Sequence, residues 1–208
     1  MRLQGPQNEE EGDEGQEMMR VGILALQGDV SEHVEAVYRA LSDMGKEGEV
    51  VEVRKKEDAD NLYALIIPGG ESTTISRLLD STRLREKILS EVGKGMRVMG
   101  TCAGAIMLAK VVDDPRVKPL GLISMKARRN AFGRQKDSFE TYLNIKGLDE
   151  PYHAVFIRAP IIEEVFGEAE ILAEFNGNIV MVKEGSHFAM SFHPELTEDT
   201  RIHRMFLK

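Results

Sequence analysis

The chain has 208 residues, 42% of them hydrophobic, a formal net charge of −8 and a single cysteine. At this length one domain with a sizeable core is the default. The charge balance excludes a basic nucleic-acid footprint, one cysteine excludes an intramolecular disulfide, and no apolar run approaches the roughly 20 residues that span a bilayer.

Residues 1–18 hold six acids and one arginine, with almost no large apolar side chains. They read as a disordered acidic tail, with Met18 or Met19 as the expected functional start and residues 19–208 as one domain. The opening residues lack the apolar core of a signal peptide, so a cytoplasmic, reducing setting is expected.

Val21–Leu26 is a short continuous apolar run ending at Gln27-Gly28, the pattern of a buried parallel strand. Apolar positions at Val34, Val37, Leu41 and Met44 then predict a helix from Asp29. Asp29 and Glu32 form a candidate capping box, and Gly45 is a good stop. Strands follow at Glu49–Val53 and Tyr63–Ile67, the latter running into Pro68-Gly69-Gly70. Helical patterns cover Thr73–Leu79 and Leu84–Val92, and a fourth strand covers Arg97–Met99. Alternating strands and helices argue an α/β fold with an open, mostly parallel sheet and helices on both faces.

Past Lys110 the texture changes to strands with few helices, at Gly121–Ala127, Phe139–Ile145 and His153–Arg158. Glu170–Phe175 and Ile179–Lys183 flank Asn176-Gly177-Asn178, a hairpin signal. A last strand, Phe188–Phe192, leads into His193, and Leu196–Leu207 reads as a closing helix.

The most informative segment is Gly100-Thr101-Cys102-Ala103-Gly104, which follows a strand and opens a helix pattern, Ala105–Ala109. Strand, tight Gly-flanked turn and helix make the thiol version of a nucleophile elbow. Small flanking residues let the backbone bend and expose the side chain, and the helix start favours a thiolate. Downstream, His193 and Glu195 supply an imidazole and a carboxylate. Cysteine, histidine and acid are the parts of a nucleophilic acyl-transfer site. His193 is placed to take the thiol proton, and Glu195 to orient the ring. Gly69 and Gly70, with the N–H of Ala103, are candidate oxyanion donors. His33, His153, His187 and His203 are expected at the surface or in packing, and no pair has metal-ligand spacing.

Together these segments resemble the class I, triad-type glutamine amidotransferases, with their flavodoxin-like fold. The resemblance narrows to the glutaminase subunits of pyridoxal 5′-phosphate synthases. It is carried by Leu26-Gln27-Gly28, Pro68–Thr74, Gly100–Gly104, Arg129-Asn130-Ala131-Phe132-Gly133-Arg134-Gln135, Phe156–Pro160 and Ser191–Asp199. It implies hydrolysis of L-glutamine to glutamate and ammonia through a thioester on Cys102. It further implies a glutamine pocket of Gly70, Glu71, Ser72, Arg129, Ile157 and Arg158, with no metal or cofactor. The implied partner is a separate barrel-forming synthase subunit that receives the ammonia in a hetero-oligomer, with no nucleic acid and no membrane involved. Guanidinium forks suit substrate carboxylates, although Arg129 lies in a basic loop that also reads as a solvated face. Two other readings stay open: a cysteine hydrolase in which histidine directly follows the nucleophile, against which Ala103 counts, and a non-catalytic scaffolding subunit.

Overall fold

The computed structural model describes residues 18–129 and 138–208. The acidic tail up to residue 17, and Asn130–Gln135 of the basic loop, lie outside the described residues. Five parallel strands form one half of the main sheet, in the order β2 (Gly48–Val53), β1 (Met19–Leu24), β3 (Ala64–Ile67), β4 (Arg97–Thr101), β12 (His187–Met190). β3 is buried at every position. A parallel strand covered on both faces can therefore be continuously apolar.

Alternate side chains of β3 serve opposite faces. Leu65 and Ile67 join a core with Ile75, Leu79, Leu84 and Ile88, from α2 (Ser72–Ser81) and α3 (Leu84–Val92). Ala64 and Ile66 join a second core with Val37, Ala40 and Leu41 of α1 (Val30–Asp43) and Ile202 and Phe206 of α5 (Arg201–Leu207). Helices on both faces and parallel pairing through β12 agree with the α/β expectation.

Beyond β12 the pairing turns antiparallel. β11 (Asn178–Glu184) is followed across the sheet by β9 (Ile161–Val165) and β6 (Ile123–Arg128), with β10 (Glu170–Phe175) also on β11, and the edge strand β5 (Ala109–Val112) pairs with β6 in parallel. Asn176 and Gly177 have φ of 50° and 76° at the β10–β11 turn. Positive φ at both central residues is what a two-residue hairpin requires. β7 (Phe139–Leu143) and β8 (Tyr152–Phe156) form a separate antiparallel pair.

Three local expectations are corrected. The Asp29 side chain makes no cap hydrogen bond, so there is no capping box at α1. The helix after the elbow, α4 (Ala103–Leu108), stops at Leu108 because Ala109 turns into β5, which pairs with β6. The closing helix is in two pieces: a 3₁₀ turn at Pro194–Leu196, then an extended Thr197, then α5. Asp199 Oδ1 accepts from the Arg201 N–H at 3.0 Å and opens α5 there, leaving Pro194–Leu196 as a separate turn after His193. None of the described helices is long and apolar enough to cross a membrane.

Candidate active site

The chemistry gathers where β1, β3, β4 and β12 end, outside the carboxyl edge of the parallel half, as the open α/β plan directs. β4 runs straight into Cys102, whose φ of 50° and ψ of −112° lie outside the regions a cysteine ordinarily adopts. The turn is held by the Cys102 N–H donating to the Met190 carbonyl at 2.9 Å, and by the Ala105 N–H donating to the Cys102 carbonyl at 3.0 Å. It is also crowded. A Cβ on Gly100 would strike the Gly104 carbonyl, and one on Gly104 would strike the Ile67 carbonyl of β3. Glycine two residues to each side of Cys102 is thus demanded by close backbone approach.

β12 delivers His193. Its Nδ1 lies 2.7 Å from Glu195 Oε1, and both side chains are buried. The other nitrogen, Nε2, is buried with no hydrogen bond of regular geometry, and Cys102 is the neighbour that acts on it. Burial lowers the basicity of this imidazole, but the interactions with Cys102 and Glu195 outweigh it and push its pKa up to about 10. Burial pushes the Glu195 carboxyl up, yet His33 and His193 outweigh that and hold it below the usual carboxylate range. An ionised acid beneath a basic imidazole is the electrostatic arrangement a cysteine–histidine pair needs.

Gly69 packs where a Cβ would lie 2.8 Å from His193 Cε1 and 3.4 Å from Cys102 Cβ. Gly70 has φ of +137°, and the Glu71 N–H next to it donates to Gln27 Oε1 at 3.0 Å. Gln27 thereby ties the end of β1 to the Gly-Gly turn.

A cleft of about 450 Å³ opens above Cys102. Gly28, Gly70, Glu71, Ser72, Ala103, Arg129, Ile157, Arg158 and His193 line it with the cysteine. The structure therefore brings the expected pocket residues together, with Gly69 beneath rather than in the lining. A larger hollow of about 760 Å³, beside Lys146, Glu170 and Arg204, lies apart from Cys102. Its lining holds no thiol or hydroxyl side chain, so chemistry rather than size selects the smaller cleft. The Cys102 thiol lies 3.8 Å from the Ile157 carbonyl, which it can use as an acceptor. Next to it Arg158, exposed, has φ of 46°. Strain in a non-glycine residue at a cleft is a mark of function.

Arg129 is not a free cation here. One Nη contacts Glu71 Oε1 and the other donates to Asp114 Oδ2 at 2.5 Å. Glu71 also accepts from the Thr74 N–H at 2.9 Å, capping α2. The Thr73 hydroxyl, the Thr74 N–H and Arg129 together hold its carboxyl below the usual range, against the opposing effect of burial. Glu71 is thus both helix cap and cleft acid.

Two neighbours of the triad were missed by sequence reasoning. Asp29 Oδ2 lies 3.6 Å from His193 Nδ1, which is where the carboxylate expected to cap α1 has gone. His33, expected as a surface or packing residue, is fully buried with Nε2 3.4 Å from Glu195 Oε1. Asp29 sits at the start of α1 and His33 in its first turn, but nothing in the sequence says that this end of the helix meets Glu195. Asp29, His193 and Glu195 each bring a donor atom within 4.8 Å of the others. The imidazole nitrogen in that group is already bonded to Glu195, so the cluster serves acid–base chemistry better than metal ligation.

A thiol at a strand-to-helix elbow, with a histidine–acid pair from a later parallel strand, is the arrangement of a triad-type cysteine amidohydrolase. The chain belongs to the SNO glutamine amidotransferase family, whose profile matches residues 23–208. It is 50% identical over 190 residues to the pyridoxal 5′-phosphate synthase subunit PdxT of Methanosphaerula palustris, covering 91% of this chain and 96% of that one. The same subunit from Methanothermobacter thermautotrophicus is 50% identical over 191 residues, covering 92% and 96%. A crystal structure described as a glutamine amidotransferase matches with a TM-score of 0.81 and 48% identity, covering 90% of this chain and 96% of that one. A glutamine amidotransferase from Methylobacillus flagellatus, 12% identical with a TM-score of 0.52, shares the fold.

Proposed function

We infer that this chain is the glutaminase subunit of a pyridoxal 5′-phosphate synthase, built as one catalytic domain over residues 19–208. The observation that carries the reading is Cys102 at the elbow, beside the His193–Glu195 pair, in a cleft that also holds two arginines. Cys102 Sγ attacks the side-chain amide carbon of L-glutamine after His193 takes the thiol proton. The amide oxygen becomes an oxyanion facing backbone N–H donors of Gly69, Gly70 and Ala103. His193 returns the proton to the leaving nitrogen, ammonia departs, and a γ-glutamyl thioester remains. Water, deprotonated by the same imidazole, cleaves the thioester to glutamate. No step calls on a metal or cofactor. The names of the relatives and the single free cysteine support a cytoplasmic biosynthetic enzyme.

Arg158 and Arg129 bind the glutamine α-carboxylate or organise the loops that do. Arg158→Ala is expected to raise KM about ten- to a hundredfold, the worth of a charge-assisted hydrogen bond. Arg129→Ala is expected to fall lower in that range, because Glu71 and Asp114 already share its guanidinium. Steady-state glutamine kinetics check both. Unchanged KM in both variants would make the basic loop a solvated surface.

The partner is a barrel-forming synthase subunit that docks on the strand-end face and takes the ammonia directly. Free ammonia is mostly protonated at neutral pH, so uncoupled hydrolysis wastes glutamine. The Gln27–Glu71 hydrogen bond and the glycines of the Pro68-Gly69-Gly70 turn form a natural gate for the oxyanion hole. A missing oxyanion donor costs roughly a hundred- to a thousandfold in rate. Titrating the synthase subunit into a glutaminase assay is therefore expected to raise kcat by up to that factor. Full activity of the chain alone would remove the gate. Running the titration with a chain starting at Met19 tests whether residues 1–18 take part.

A further inference from the structure

We propose that His33 is a positioning residue for the catalytic acid, holding Glu195 in line with His193 through a neutral Nε2–H donor. The proposal rests on the triad reading above. His33 projects from α1 and is fully buried. Its Nε2 lies 3.2 Å from Thr101 Oγ1 and 3.4 Å from Glu195 Oε1. That carboxylate oxygen is the one that holds His193 Nδ1 at 2.7 Å, and Thr101 directly precedes the nucleophile. One ring therefore braces both the strand that carries the thiol and the acid that orients the base.

The tautomer follows from the neighbours. If Nδ1 carried the proton, the bare Nε2 lone pair would face an ionised carboxylate in a buried site. With the proton on Nε2, the N–H donates to Thr101 Oγ1 at 3.2 Å, and its positive end lies 3.4 Å from Glu195 Oε1. The nitrogen left without a partner, Nδ1, is then only an acceptor, which costs less to orphan than a donor. The groups facing His33 are Glu195 and His193, Asp29 and Glu32 of its own helix start, and the His203 ring from α5, edge-on at 6.0 Å. Burial lowers the basicity of both His33 and His203, the latter to about 3. A neutral His33 stabilises an ionised Glu195 without repelling the imidazolium that forms at His193. Glu195 Oε2 has no hydrogen-bond partner of regular geometry among the described residues, so the contacts at Oε1 matter more.

The test uses the full chain with saturating synthase subunit, following glutamine hydrolysis across pH. His33→Leu removes the donor, His33→Asn keeps an amide too short to reach, and His33→Gln returns an N–H near the Nε2 position. His33→Leu is expected to lower kcat about tenfold or more, because the N–H dipole beside a buried ionised carboxylate is lost. KM should stay within about twofold, since no contact to substrate is lost. The acid limb of the kcat profile should move to higher pH, because Glu195 then keeps its proton longer. His33→Gln should recover most of kcat and return the limb. If His33→Leu does not fold, His33→Asn is expected to show the same losses and carries the comparison. In a Glu195→Gln background the His33 substitutions should add little. An unmoved acid limb, a glutamine variant no better than leucine or asparagine, or a full independent loss in the Glu195→Gln background would overturn the proposal. An active Cys102→Ala would instead overturn the triad reading itself, so the two failures are distinguishable.

Discussion

Cys102→Ala is expected to abolish glutamine hydrolysis, lowering kcat by at least about 10⁴-fold, while the protein stays folded and still binds its synthase partner. The magnitude follows from where the thiol sits. Cys102 is the sole thiol in the chain, and no hydroxyl occupies the elbow in its place. Thr101 is fully buried behind it. Alanine also suits the crowded turn better than a larger residue, so stability should change little. The remaining backbone φ of 50° is a strain that the wild-type turn already carries. A glutaminase assay beside a thermal melt and a partner pull-down checks all three statements. Residual activity above about 1% of the parent would mean that another group attacks the amide.

His193→Asn is expected to cost nearly as much as losing the thiol, because members of a triad act as a unit and single losses do not add. The buried imidazole is the group placed between Cys102 and Glu195, and Asn has no lone-pair nitrogen to accept the thiol proton. Glu195→Gln should be milder. Its amide oxygen can still accept the Nδ1–H that Glu195 Oε1 now accepts at 2.7 Å, so the ring keeps its orientation and loses only the charge beneath it. A loss of about ten- to a hundredfold is expected. Single-turnover kinetics separate the steps, since both variants should slow acylation and thioester cleavage alike. Near-normal turnover in His193→Asn would remove the triad.

Much of the site was legible in the chain itself, for a local reason. A nucleophile elbow, a Gly-Gly turn and a histidine two residues before an acid are short-range devices, each needing particular residues at fixed spacing. The parallel half of the fold was readable in the same way. Continuous apolar runs such as Ala64–Ile67 are the mark of strands buried on both faces, and the Asn176-Gly177 turn carried its own hairpin geometry. Less of the second half of the sheet could be read. β9 and β5 are short and partly exposed, and what makes them strands is a partner far away in sequence.

The sequence by itself singled out Cys102, His193 and Glu195 as candidates and showed the apolar runs that make a parallel sheet, because an elbow, a strand-end histidine and strands buried on both faces each need particular residues at fixed spacing. Only the tertiary structure decided who their neighbours are. Asp29 looked like a helix cap until the end of β12 was set 3.6 Å from it. His33 looked like a packing histidine until α1 was laid against Glu195. Arg129 looked like a free anion grip until β5 and its following turn brought Asp114 to it. In each case the deciding interaction joins residues at least fifteen positions apart. A charge's role is set by the field around it, and that field exists only once the strands have chosen their partners.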